Sequence, residues 1–189
     1  MARNESGTVR PAKRRRVFLA AAVVLLVCVL AAGAVRADTV TVSNYEQLSD
    51  NISNAKNDRT IIIAEDIQVG ANQGFTVSQN ITLTTTDNAN HRIYRTAANT
   101  SNQNGMFTIQ SGGNLTIQGN ESGTITLDGN KTQVPGNGQT LVWIDAGGTF
   151  ILNSGGVLTN NTANSGGAVM LEEAGTFTMS GGTIANNTA

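Results

Sequence analysis

Residues 154–163 read SGGVLTNNTA and residues 180–189 read SGGTIANNTA, so nearly the same decapeptide recurs after 26 positions. A recurrence at a fixed period of about 20 to 50 residues is typical of stacked repeats. Each copy holds a Gly-containing turn, a short apolar stretch and an Asn-rich turn. A unit this small cannot bury its own apolar face, and it becomes stable only against a neighbouring copy. The decapeptide therefore predicts a fold built from repeating turns of chain.

Three longer stretches, which begin at Met106, Leu141 and Ala168, extend this repeat. Each runs through a strand, a Gly turn, a second strand, another Gly turn, a short strand and an Asn-rich turn. Phe150 and Phe177 hold equivalent places in their copies. Most predicted strands alternate apolar residues with Thr, Ser or Gln, as strands with one buried face do. They lie at 60–65, 75–78, 80–84, 92–95, 106–110, 114–118, 124–128, 141–145, 149–152, 168–171, 176–179 and 183–184.

The predicted fold class is therefore all-β, with a right-handed parallel β-helix, or β-solenoid, over residues 60–189. In such a fold each turn of chain rests on the next at about 4.8 Å, and the inward side chains form one continuous core. An antiparallel β-sandwich is the alternative, although a sandwich does not require copies in matching register.

Residues 38–59 are predicted to form an amino-terminal cap with one amphipathic helix. Ser43 and Glu46 have the spacing of a capping box. The apolar stripe that follows has three- and four-residue steps and consists of Tyr45, Leu48, Ile52 and Ala55. A helix in this position would cover the exposed edges of the first turn of chain.

The first 37 residues have the pattern of a secretory signal peptide, which precedes the fold as a helix. Basic residues at 13–16 lead into an apolar run at 17–34, and small residues follow. The predicted cleavage lies between Ala37 and Asp38. The alternative is a retained membrane anchor, because 18 residues lie at the lower edge of what spans a bilayer. The predicted localisation is secreted or at the cell surface.

Removal of residues 1–37 leaves 5 Lys or Arg and 12 Asp or Glu, a net charge of about −7. This balance excludes a nucleic-acid partner, which requires a basic footprint. The single cysteine, Cys28, lies in the apolar run, so the remainder of the chain forms no disulfide. Contact with a membrane is predicted only through the signal segment or through a carboxy-terminal anchor missing from the chain.

One acidic constellation has the spacing that catalysis would need. Asp145 and the pair Glu172–Glu173 are predicted to lie one repeat apart, about 4.8 Å along the stacking axis. Glycoside hydrolases use two carboxylates about 5 to 9.5 Å apart, and lyases use clustered acids that hold calcium. Solubilising surface charge is the alternative. We recognise no catalytic or cofactor motif, and no cluster of ligands supports a Ca²⁺ site. His91 is expected in a loop. The sequence therefore favours a protein without enzymatic activity.

Trp143 is the only tryptophan and the one candidate binding residue. In LVWID (141–145), Val142 and Ile144 are predicted to face inward, which places Trp143 on the outer face. An outward indole could stack on a sugar ring. The alternative is that Trp143 packs under the loop KTQVPGNGQ (131–139).

Residues 141–189 resemble the repeat region of bacterial adhesin-like surface proteins with a pectate-lyase-like fold. They are also similar to the repeats of chlamydial polymorphic outer-membrane proteins, which carry Gly-Gly-Ala-(Ile/Val/Leu) and Phe-x-x-Asn. Here GGAV stands at 166–169, and IANN at 184–187 has Ile where that motif has Phe. The resemblance implies a bacterial surface protein with a parallel β-helix, and its motifs specify turns and stacking rather than chemistry.

Three functions remain open at this point. The first is an adhesin-like surface protein whose repetitive outer face binds a host or environmental glycan or protein. The second is a fragment of a polysaccharide lyase or glycoside hydrolase, and the third is a passive stalk. Because residue 189 is followed by no closing helix and no sorting signal, the sequence predicts a truncated product of a longer protein.

Overall fold

The computed structural model describes residues 38–85, 88–99, 105–120 and 122–189. The predicted signal peptide, including Ala37, lies outside these residues. Across the described part of the chain, we find no helix that is long and apolar enough to span a membrane. The elements are β1 (Asp38–Val42), α1 (Tyr45–Ser53), β2 (Arg59–Ile63), β3 (Ile67–Val69), β4 (Phe75–Val77), β5 (Asn80–Thr84), β6 (Asn90–Arg95), β7 (Gly105–Ile109), β8 (Asn114–Ile117), β9 (Thr124–Asp128), β10 (Thr140–Ile144), β11 (Thr149–Leu152), β12 (Gly156–Thr159), β13 (Val169–Leu171), β14 (Thr176–Met179) and β15 (Thr183–Ala185).

The strands form three parallel sheets that the chain visits in a fixed order. Sheet A has the order β1-β2-β5-β8-β11-β14, sheet B the order β15-β12-β9-β6-β3, and sheet C the order β13-β10-β7-β4. From β2 onward the chain passes from sheet A to sheet B to sheet C and returns to sheet A, and we call one such passage a circuit. Every strand pairing among the described residues is parallel. The antiparallel sandwich is therefore wrong, and the arrangement is compatible with a parallel β-helix.

Equivalent side chains of successive circuits lie in columns. In sheet B one inward column consists of Ile67, Ile93, Leu127, Leu158 and Ile184. The first four of these are completely buried. Burial of a large aliphatic side chain contributes about 1.5 to 3 kcal/mol relative to exposure, so such columns supply the main stabilisation of the fold.

The repeat predicted from the sequence matches the register. Phe150 pairs with Phe177, and the centroids of their stacked rings are 5.3 Å apart. In sheet B, Leu158 pairs with Ile184, which reproduces the 26-residue offset of the two decapeptides. The pairing in sheet A has an offset of 27 residues because one residue is dropped between the two sheets.

Two strands, β1 and β3, escape the sequence analysis, and β12 is recognised only as the short apolar stretch of the first decapeptide. Strand β1 lies in the segment predicted as the cap, and β3 has only three residues, between Asp66 and Gly70. Pairing with a neighbouring circuit specifies them instead, since β1 joins β2, β3 joins β6, and β12 joins both β9 and β15.

His91 does not lie in a loop, contrary to the expectation from its polar neighbours. It belongs to β6, where it pairs with Ile125 of β9, and its side chain is buried. Side chains alternate along β6, which begins at Asn90, so every second residue faces inward. His91, Ile93 and Arg95 therefore all lie inside. Pairing with β9 extends the strand beyond its apolar residues.

The helix α1 packs mainly against β4 and also touches β1 and β3. Strands β3 and β4 are the edge strands of sheets B and C, so α1 covers the amino-terminal end of both. Tyr45 joins the helix to the core, because its ring centroid lies 5.1 Å from that of Phe75 and its hydroxyl donates to the carbonyl of Gly74 at 3.1 Å. At the opposite end, Leu171, Met179 and Ile184 on the last strands are exposed.

The predicted capping box at Ser43 and Glu46 is wrong by one residue. Asn44 has an extended backbone and is the N-cap, and its side-chain oxygen accepts from the N–H of Gln47 at 3.0 Å. The side chain of Gln47 in turn accepts from the N–H of Ser43 at 2.8 Å. Asn and Ser are nearly equal as N-caps, so composition does not select between them. The contacts of Tyr45 with the core favour a helix that begins there.

We expect Asn44→Ala to lower the free energy of unfolding by about 1 kcal/mol, because the N–H of Gln47 then loses its acceptor. Ser43→Ala is the matched control, and its effect should stay below about 0.5 kcal/mol because only the backbone of Ser43 takes part in the cap. Urea denaturation followed by circular dichroism measures both. A larger loss for Ser43→Ala would restore the original capping assignment.

The turn from sheet B to sheet C contains a buried network of asparagines. The side-chain nitrogen of Asn161 donates to the carbonyls of Gln139 at 2.9 Å and Gly167 at 2.6 Å. Its backbone N–H donates to the side chain of Asn187, one circuit further along, at 3.1 Å. Asn137 donates to the side-chain oxygen of Asn161 at 3.1 Å. These bonds satisfy backbone carbonyls that lie outside the sheet ladders.

Candidate functional site

The outward side chains of sheet C bring the predicted site residues together. Val142 and Ile144 are completely buried, as predicted, and Trp143 between them is half-buried on the outer side. Trp143 pairs with Thr108 of β7 and Met170 of β13. We call this surface the sheet C outer face and define it by Thr108, Trp143, Met170, Gln110, Asp145 and Glu172.

Trp143 is held by a hydrogen bond to the residue two positions further along β10. Its indole Nε1–H donates to Oδ1 of Asp145 at 3.0 Å. Residues i and i+2 of a strand point to the same side, which makes this contact local to the strand. The bond fixes the ring orientation and leaves part of the indole accessible. Trp143 therefore lies on the outer face, where it is half-buried.

The acidic candidates lie on neighbouring circuits. The backbone N–H of Asp145 donates to the carbonyl of Ile109, and that of Glu172 donates to the carbonyl of Ile144, each at 2.9 Å. Asp145 and Glu172 therefore follow their strands at equivalent positions, with Gln110 in the same place one circuit earlier. Glu172 and the adjacent Glu173 are exposed, and Asp145 is half-buried.

The chemistry available on this face is recognition by stacking and hydrogen bonding. A half-exposed indole offers an apolar surface, and the carboxylates and Gln110 beside it offer hydrogen-bond acceptors and donors. One oxygen of Asp145 is already engaged by Trp143. Among the residues that the structure describes, no three His, Cys, Asp or Glu side chains are arranged to hold a metal ion.

A second charged arrangement lies on the outer side of sheet B, where Arg92 joins two carboxylates. Its Nε is 3.2 Å from Oδ2 of Asp66, and its Nη1 is 3.4 Å from Oδ2 of Asp128. The guanidinium also lies 4.5 Å from the centroid of the Tyr94 ring. Asp128 also accepts from the backbone N–H of Asn130 at 2.7 Å. These contacts join three circuits and give Asp128 a structural role.

Arg95 is a buried cation that has no counter-ion among the residues that the structure describes. The residue is completely buried, and its Nη2 donates to the carbonyl of Thr140 at 3.3 Å. Its Nε and Nη1 have no hydrogen-bond partner within the described part of the chain. Burial lowers the pKa of Arg95 from its ordinary value to about 10, because the charged form loses its hydration.

Sequence analysis found Trp143 and the acids on the sheet C outer face but missed Arg92 and Arg95. The alternation of side chains along RIYR (92–95) indicates only that Arg92 and Arg95 lie on opposite sides of a strand. The partners of Arg92 are 26 and 36 residues away along the chain, and no local pattern relates them.

We compared the chain with protein-family models, with curated proteins and with solved structures, and none of the three comparisons finds a match.

Proposed function

We propose that this chain is an exported bacterial surface protein of adhesin-like function, built as a right-handed parallel β-helix, whose sheet C outer face binds a glycan. Export follows from the signal-peptide pattern before Asp38. The acidic balance of residues 38–189 argues against nucleic acid as the partner. The resemblance of residues 141–189 to adhesin-like repeats supports a role at the cell surface.

The observation that carries the proposal is the pairing of Trp143 with Asp145. A half-exposed indole, oriented by a carboxylate, is the kind of platform on which the apolar face of a sugar ring packs. Gln110 and Glu172, one circuit to either side, supply polar groups for the hydroxyls at the rim of such a ring. The parallel register therefore places stacking and hydrogen-bonding groups within one small area.

Trp143→Ala should weaken glycan binding by at least about tenfold, which corresponds to about 1.4 kcal/mol. Trp143→Phe should lie between this variant and the parent, since it keeps a ring but loses the bond to Asp145. The measurement is binding of the purified protein to a glycan array, followed by titration of the best glycan by calorimetry.

The matched control is Ile151→Ala, which removes a half-buried apolar side chain from the outer side of β11 in sheet A. It should bind like the parent. If Trp143→Ala also binds like the parent, the sheet C outer face is not the glycan site. A parent protein that binds neither glycans nor matrix proteins would favour the passive stalk.

A further inference from the structure

A polar cleft lies beside the first turn of α1, and the residues that line it are distant from Trp143 along the chain. Its volume is about 400 Å³, and its walls include Asn44, Tyr45, Glu46, Asp66, Gln68 and Gln73. Four separate parts of the chain meet there: the start of α1, the outward side of β3, the turn that leads to β4, and Thr96 after β6. A volume of this size lies within the range of small-molecule sites and accommodates one or two sugar rings.

The side chains of the cleft are held in place by bonds to the protein. The side-chain oxygen of Gln73 accepts from the N–H of Gly70 at 2.6 Å. Oδ1 and Oδ2 of Asp66 accept from the backbone N–H of Arg92 at 2.7 Å and from its Nε at 3.2 Å. Tyr45 is fixed by the carbonyl of Gly74 and the ring of Phe75. A ligand would therefore meet groups that are already ordered, which lowers the entropic cost of binding.

These bonds leave hydrogen-bonding groups of both kinds available. The oxygens of the Gln73 and Asn44 amides are the atoms engaged by protein N–H groups, so both NH₂ groups remain as donors. Each carboxylate oxygen of Asp66 accepts one bond from Arg92 and keeps further acceptor capacity. Donors and acceptors in close proximity match vicinal hydroxyls, which both donate and accept.

The charges of the cleft restrict the class of ligand. Glu46 and Asp66 disfavour an anion, and the cation that contacts Asp66, Arg92, is also paired with Asp128. Within the described part of the chain these acids do not form a group that could hold a metal ion. The predominantly polar wall disfavours a purely apolar ligand. We infer that the cleft is a second binding site, separate from the sheet C outer face, and that it takes an uncharged saccharide of one or two rings.

The test is saturation-transfer difference NMR of the purified full chain with glucose, galactose, mannose and the disaccharide lactose as neutral probes. Glucuronate serves as the anionic probe. Gln68→Trp places a bulky ring in the cleft at an exposed position, and Gln79→Trp is the matched control at an exposed glutamine outside it. We expect at least one neutral sugar to bind the parent and Gln79→Trp, and Gln68→Trp to weaken its binding by about tenfold or more.

Three results would overturn the inference: no neutral sugar binds the parent, Gln68→Trp binds like the parent, or glucuronate binds as tightly as the neutral sugars. If Gln68→Trp fails to fold, Glu46→Ala, at the exposed start of α1, replaces it. Trp143→Ala separates this inference from the proposed function. If only Trp143→Ala loses binding, the cleft is not a sugar-binding site and the proposed function stands. If only Gln68→Trp loses binding, the result supports the cleft as the sugar-binding site.

Discussion

Gly129→Ala is expected to lower the free energy of unfolding by roughly 4 kcal/mol or more, the largest effect of any single substitution that we predict. A Cβ at position 129 would come within 2.5 Å of both Cα and Cβ of Asn161 and would also collide with its side-chain oxygen. Asn161 is completely buried and held by the carbonyls of Gln139 and Gly167. It cannot move aside without breaking the turn that connects sheets B and C, so the clash has no inexpensive relaxation.

Gly112→Ala is the matched control for Gly129→Ala. Gly112 has a φ of 79°, and a Cβ there would have no atom within 4 Å. Its replacement should cost about 1 kcal/mol from backbone strain alone. Urea denaturation followed by circular dichroism compares the two variants with the parent. Equal losses would show that the close approach of Gly129 to Asn161 does not limit stability.

Arg95→Met should stabilise the protein by about 3 kcal/mol at neutral pH, which makes it the largest stabilising change that we predict. The guanidinium is completely buried, and among the described residues it has one hydrogen bond of 3.3 Å and two nitrogens without a partner. Methionine is unbranched and fills a similar space without a charge. Desolvation of a buried charge that has no counter-ion costs more free energy than its remaining hydrogen bonds return. An apolar replacement is therefore favourable.

The pH dependence supplies an independent check on Arg95. Its pKa is about 10 in the folded protein, well below the ordinary value that it has in the unfolded chain. Between these values the unfolded state binds more protons, so the stability of the parent rises as the pH increases through this window. Arg95→Met lacks the group. Its advantage over the parent should therefore decrease as the pH rises above about 10.

Two controls accompany Arg95→Met in the same denaturation series. Arg95→Lys keeps a buried charge and should not stabilise the protein. Arg92→Met removes an exposed cation that is paired with Asp66 and Asp128, and it should destabilise the protein by at most about 1 kcal/mol. If Arg95→Met is less stable than the parent, other interactions of the guanidinium offset its desolvation cost. That result would contradict the argument that the buried charge destabilises the protein.

The sequence by itself determined the class of fold and the spacing of its repeats. The alternation of Val142, Trp143 and Ile144 was sufficient to place the tryptophan outside and its neighbours inside, because side chains along a strand alternate. The recurrence of the decapeptide predicted the register of β12 with β15, since identical turns bury their apolar faces best when they are superimposed. Both properties are periodic and are therefore readable over a few residues.

Only the tertiary structure decided which residues of different circuits meet. The cleft joins Tyr45 to Gln68 and Gln73, and the paired carboxylates of Arg92 come from two other circuits. The burial of His91 requires that β6 extends to Asn90, and pairing of β6 with β9 produces that extension. Strands as short as β3 have no pattern of their own, and pairing across circuits produces them. Such contacts depend on turn lengths that accumulate over 20 to 40 residues, and no local period of the chain encodes them.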